Sequence, residues 1–101
     1  MGNLALVEKL NNAFLSSLPS EKVALQDAVV ISDLNAIARI AHKLRGTASN
    51  MCAMPLSDAA KNVEQAARSN QIELVTQRWL ELKDQIENVM DELSTTESSP
   101  L

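Results

Sequence analysis

The chain has little of what most protein chemistry uses. Its 101 residues include one Cys, one His, two Gly, one Phe, one Trp and no Tyr. A single cysteine excludes a disulfide scaffold. Cys52 and His42 together fall short of the four or so ligands that a zinc site takes. Two glycines leave no P-loop and no G-x-G-x-x-G turn. A net charge of −4 with 2% aromatic residues argues against a nucleic-acid partner. No run of 18 apolar residues offers a transmembrane helix. No basic stretch leads into an apolar run at the N-terminus, as a secretory signal would. Leu6 stands where a myristoylation signal needs Ser or Thr. A Ser-His-Asp arrangement would have to use the one histidine and would need a large pocket. These readings predict one cytoplasmic domain without a metal and without direct membrane contact. The lone thiol fits a reducing compartment.

What is present is helix-forming sequence. Ala, Leu, Glu, Gln and Lys are frequent, and 46% of the residues are hydrophobic, enough for a small core. Val7, Leu10 and Phe14 space one face of a helix over about residues 3–17. Pro19 then marks a break or a kink. A second stretch runs to about Ile31 and buries Leu25, Ala28 and Val29. Ser32-Asp33 is a helix start signal, and Leu34, Ile37, Ala41, Leu44, Ala48 and Met51 form a stripe over about residues 33–50. Pro55 opens the next helix at a first-turn position where its missing N–H costs nothing. That helix ends near Ser69, with Leu56, Ala59, Ala60, Val63, Ala66 and Ala67 on its face. The last runs over about residues 71–93, with Ile72, Val75, Trp79, Leu82, Ile86, Val89 and Leu93 in register. Such a stripe could zip a coiled-coil dimer, but a bundle needs it equally, and packing within a monomer is the preferred reading. Short joints between amphipathic helices predict an all-α, antiparallel up-down four-helix bundle over residues 1–94. An additional helical segment before Pro19 is left open. Residues 95–101 are expected to be a frayed polar tail. Met51, Cys52 and Met54 are expected to fill the core.

The one histidine has a distinctive setting. At about 100° per residue, His42 lies roughly 130° from the centre of its helix's apolar stripe, which places it in solvent. Ala38, Gly46 and Ser49, all small, share its side. A mid-helix Gly costs about 1 kcal/mol against Ala, so something besides helix stability is expected to want Gly46. Small neighbours leave the imidazole open to another protein surface. Residues 1–33 carry −2 and residues 58–101 carry −5, while residues 34–57 carry +3 from Arg39, Lys43 and Arg45 with no acid. Arg and Lys recognise phosphate, and positive neighbours favour the neutral, nucleophilic ring. The residues alone therefore suggest an exposed imidazole able to hold a phosphoryl group.

The stretch Ala41-His42-Lys43-Leu44-Arg45-Gly46 resembles the His-x-Leu-Lys-Gly signature of histidine phosphotransfer (HPt) domains. Thr47, Ala48 and Ser49 match the small residues that follow it. Ala53 and Leu56 fall in register, and Val63-Glu64 stands where that family has Leu-Glu. Phe14, Pro19, Leu25 and Asp33 are spaced as in HPt modules at the C-termini of hybrid sensor kinases. Arg45 replaces the usual Lys, and Cys52 replaces the usual Gly.

The resemblance implies that His42 takes a phosphoryl group from a receiver-domain aspartate and passes it to a response regulator. Lys43 and Arg45 would offset the phosphoryl charge. Gly46, Arg39, Ser49 and Ala38 would face the receiver. This chain would need no cofactor, because the Mg²⁺ belongs to the receiver. It would act as a monomeric carrier without an independent catalytic site. It would be cytoplasmic, either free or as the C-terminal part of a membrane-anchored sensor kinase. A helical protein-interaction domain without chemistry is the alternative.

Overall fold

The structure, a computed structural model, describes the backbone of residues 2–98 and the side chains of residues 13, 14 and 16–91. Four helices follow one another: α1 (Gly2–Val30), α2 (Leu34–Asn50), α3 (Met54–Arg68) and α4 (Ile72–Ser98). No strand occurs among the described residues. Three-residue joints at 31–33, 51–53 and 69–71 turn each helix back on its predecessor. α1 packs on α2 and α4, and α3 packs on α2 and α4, which closes the four-helix bundle. Its long dimension of 46 Å suits α1, whose 29 residues span about 43 Å at ~1.5 Å each.

Each joint is built the same way. Asp33 N–H reaches back to Ala28 C=O, Ala53 N–H to Ala48 C=O, and Gln71 N–H to Ala66 C=O. The preceding residues, Ser32, Cys52 and Asn70, donate to Val29, Ser49 and Ala67. These paired bonds are Schellman caps, which satisfy the last carbonyls of a helix and need one residue in the left-handed region. Ser32, Cys52 and Asn70 occupy it, with φ of 55°, 58° and 57°. The residue that ends each cap also begins the next helix. Asp33 does so with its side chain, which accepts from Ala36 N–H at 3.1 Å.

The core is where the stripes meet. Leu18 and Leu25 from α1, Ile37 and Leu44 from α2, Leu56 and Val63 from α3, and Val75, Leu82 and Ile86 from α4 are fully buried. Burial of each such side chain contributes about 1.5–3 kcal/mol relative to exposure. Trp79 is buried as well, and its indole N–H donates to Gln26 Oε1 at 3.1 Å, tying α4 to α1. The α4 stripe is thus used inside the bundle.

Several expectations need correction or sharpening. Of the break or kink left open at Pro19, the structure shows no break: Pro19 lies inside α1, and the described residues before it belong to the same helix. Leu18 and Leu25 enter the same core on either side of Pro19, and this tertiary burial outweighs the lost backbone bond. Cys52 is exposed, because the left-handed cap residue points out of the joint. Met54 is half exposed, as is Ile72 at the start of α4. Helix α4 is described to Ser98, and residues 99–101 of the expected tail lie outside the described residues. Val7, Leu10 and Leu93 lie outside the residues whose side chains are described. Among the described residues, no helix is long and apolar enough to cross a membrane.

Candidate functional site

His42 stands midway along α2, and its side chain is 58% exposed. Glu64 reaches it from α3, with a side chain only 7% exposed. Glu64 Oε2 lies 3.0 Å from His42 Nδ1. The same oxygen accepts from Arg68 Nε at 3.0 Å, one turn further along α3. Arg45 faces the pair from α2, with Nη1 3.4 Å from Glu64 Oε1 and Nη2 3.4 Å from His42 Nδ1.

These distances select a tautomer. A carboxylate only accepts, so at 3.0 Å it requires a proton on Nδ1. The longer Arg45 approach would instead need a lone pair there. The carboxylate contact is the shorter and is charge-assisted, so Nδ1 carries the hydrogen. In the neutral ring the lone pair is then on Nε2, away from Glu64. Burial pushes the Glu64 carboxyl upward, but the hydrogen bonds from Arg68 and His42 and the charge of Arg45 together hold it below the ordinary carboxylate range.

The other expected residues divide around the imidazole. Lys43 and Arg39 line a groove between α1 and α2 with Ser20, Glu21, Ala24 and Ile40. Burial raises the Glu21 carboxyl, and the Lys43 charge opposes that only in part. Arg45 instead turns toward α3. Gly46 is exposed, and a Cβ built on it would meet nothing within 4 Å. The packing of the fold therefore makes no demand for glycine at this position. Ser57, buried on α3, donates to Arg45 C=O at 3.2 Å, so the exposed Ser49 hydroxyl donates to Ser57 Oγ at 2.7 Å. The Ser49 hydroxyl thus serves the α2–α3 seam. Ala38 is corrected: it is buried, at 6% exposure, within the core cluster. Its methyl lies roughly 90° from the stripe centre at about 100° per residue, and a helix flanked on both sides covers that margin.

Glu64, Arg68, Ser57 and Glu21 were not among the expected site residues. Counting charge along the chain makes residues 34–57 a purely basic zone, yet α1 and α3 bring Glu21 and Glu64 to its edges. Glu64 sits at the margin of the α3 stripe, where periodicity alone reads it as a surface acid. The available signals were its register with the Leu-Glu pair of the resemblance and an Arg at i+4, the spacing of an intrahelical ion pair.

An all-α bundle that exposes one carboxylate-supported imidazole, with a guanidinium group beside it, defines a histidine-presenting helical domain. The profile of the Hpt domain family matches residues 9–95. The chain belongs to that family, whose work is histidine phosphotransfer in phosphorelays and whose members interact with receiver domains. Searches of curated proteins and of solved structures find no match.

Proposed function

We propose that His42 is the phospho-acceptor, charged by the aspartyl phosphate of a receiver domain and discharged to the aspartate of a response regulator. The observation that carries this reading is the bond between Nδ1 and Glu64 on a side chain 58% exposed, which leaves the Nε2 lone pair outward. That pair attacks phosphorus in line. The N–P bond forms as the acyl-phosphate P–O bond breaks, and the bond's electrons leave with the receiver's carboxylate. No proton moves. The ring becomes an N-phosphorylated imidazolium whose positive charge faces Glu64.

Arg45, 3.4 Å from the ring, and Lys43, the next residue along the chain from His42, would offset the phosphoryl charge of about −2. Arg39 extends the positive surface along α2. Gly46 would let the receiver's loops approach. Ser49 and Ala38 hold the helix behind this face, Ser49 through Ser57 and Ala38 through the core. The receiver supplies the Mg²⁺. The proposed partners are the receiver domains of a hybrid sensor kinase and of a response regulator, met by the isolated domain as a monomer.

The test is incubation with a phosphorylated receiver. Acid-labile, base-stable label should appear on the wild-type chain and not on H42Q. Equal labelling of H42Q would exclude His42 as acceptor. Receiver binding without any label would favour a non-catalytic interaction domain.

A further inference from the structure

We propose that Arg68 is a positioning residue that sets the tautomer of His42 by holding the Glu64 carboxylate against Nδ1; this rests on the reading of His42 as phospho-acceptor. Arg68 makes no hydrogen bond to the ring, whose partners are Glu64 and Arg45. It acts through one atom, Glu64 Oε2, which lies 3.0 Å from both Arg68 Nε and His42 Nδ1. The groups facing this carboxylate are the Arg45 guanidinium and the His42 ring from α2 and the Arg68 guanidinium from α3.

The need for Arg68 follows from the competition at Nδ1. Arg45 Nη2 stands 3.4 Å from that nitrogen and would donate to it if the ring carried its proton on Nε2. That second tautomer has no lone pair on Nε2 and cannot attack phosphorus. Glu64 opposes it only while the carboxylate is ionised and correctly rotated. Arg68 supports both conditions. It supplies a full charge to a side chain 7% exposed, and its directional Nε–H bond fixes one rotamer. The remaining contact, Arg45 to Oε1 at 3.4 Å, is longer and leaves Oε1 without a hydrogen-bond partner. Arg68 itself is 59% exposed at the side chain. Its replacement therefore removes little packing.

The experiment compares wild type, R68Q and R68K in transfer from a phosphorylated receiver, with ring ¹⁵N spectra of His42 taken without the partner. The expected result for R68Q is an unchanged KM for the receiver and a maximal rate down about tenfold, the equivalent of ~1.4 kcal/mol and of one charge-assisted hydrogen bond. Its ring spectrum should move toward the tautomer protonated on Nε2. R68K should recover part of both. Wild-type rate and ring spectrum in R68Q would overturn the proposal. A change in KM alone would also overturn it, because Arg68 would then be a docking contact. Failure of the wild-type chain to label would instead strike the reading of His42 as acceptor, while the ring spectra would still decide the role of Arg68.

Discussion

Replacing Cys52 with glycine should make the bundle more stable. Cys52 holds φ of 58° in the cap that joins α2 to α3. A left-handed backbone brings Cβ against the carbonyl and costs an L-residue roughly 1–2 kcal/mol. Glycine avoids that clash but loses more backbone freedom on folding, by roughly 0.5–1 kcal/mol. The difference leaves a net gain of about 0.5–1 kcal/mol. The Cys52 side chain is exposed, so little packing is lost with it. For a domain of this size each kcal/mol moves Tm by roughly 4–8 °C, which predicts a rise of about 2–8 °C.

The other two caps calibrate the reasoning, because Ser32 and Asn70 have φ within a few degrees of Cys52. S32G should gain about as much as C52G. N70G should gain less, since Asn tolerates this region best among residues with a Cβ. C52A keeps the Cβ and should gain nothing. Thermal unfolding followed by fluorescence of Trp79, the only tryptophan and a buried one, measures all four. If C52G gains no more than C52A, or N70G gains as much as C52G, the cap argument is wrong.

The open space beside Gly46 predicts that G46A raises stability by about 0.5–1 kcal/mol in chemical denaturation. G46Q should fold normally yet slow phosphoryl transfer several-fold; an unchanged rate would refute the clearance reading. E64Q should lose about 1–3 kcal/mol at pH 7, because a buried, hydrogen-bonded charge is removed. The folded carboxyl is held below its ordinary value of 4.5, so this contribution is complete above that value and lost as pH falls through the lower folded one. Denaturation from pH 7 down to 3 should show the gap between wild type and E64Q closing. Glu21 has the opposite sign: burial raises its carboxyl, so its ionised form opposes folding at neutral pH. E21Q should therefore stabilise at pH 7, and the advantage should vanish below about pH 4.5 in the same titration.

The joints of α2 and α3 were legible because their signals are local. Ser32-Asp33 and Pro55 act on the backbone beside them, and an apolar stripe at 3.6-residue spacing needs no knowledge of its partner. The Trp79 stripe of α4 was legible for the same reason. Pro19 was harder, since a proline in a helix weighs one lost bond against the burial of Leu18 and Leu25, and only the packed core sets the second quantity. Cys52 read as core because its composition suggests burial. The cap left it exposed, through backbone bonds from Ala53 to Ala48 and from Cys52 to Ser49 that no side chain announces.

The same division holds at the candidate site. The sequence by itself determined that one histidine would face solvent from the middle of a helix, beside a glycine and among bases. That is a matter of angular position along a single element, which 100° per residue decides. Tertiary structure alone decided what the ring's other nitrogen meets. Glu64 is 22 positions away in the chain, and the α2–α3 packing brings its carboxylate to 3.0 Å. A hydrogen bond depends on distances of a few tenths of an ångström between elements, which no count of charge or spacing along one helix contains.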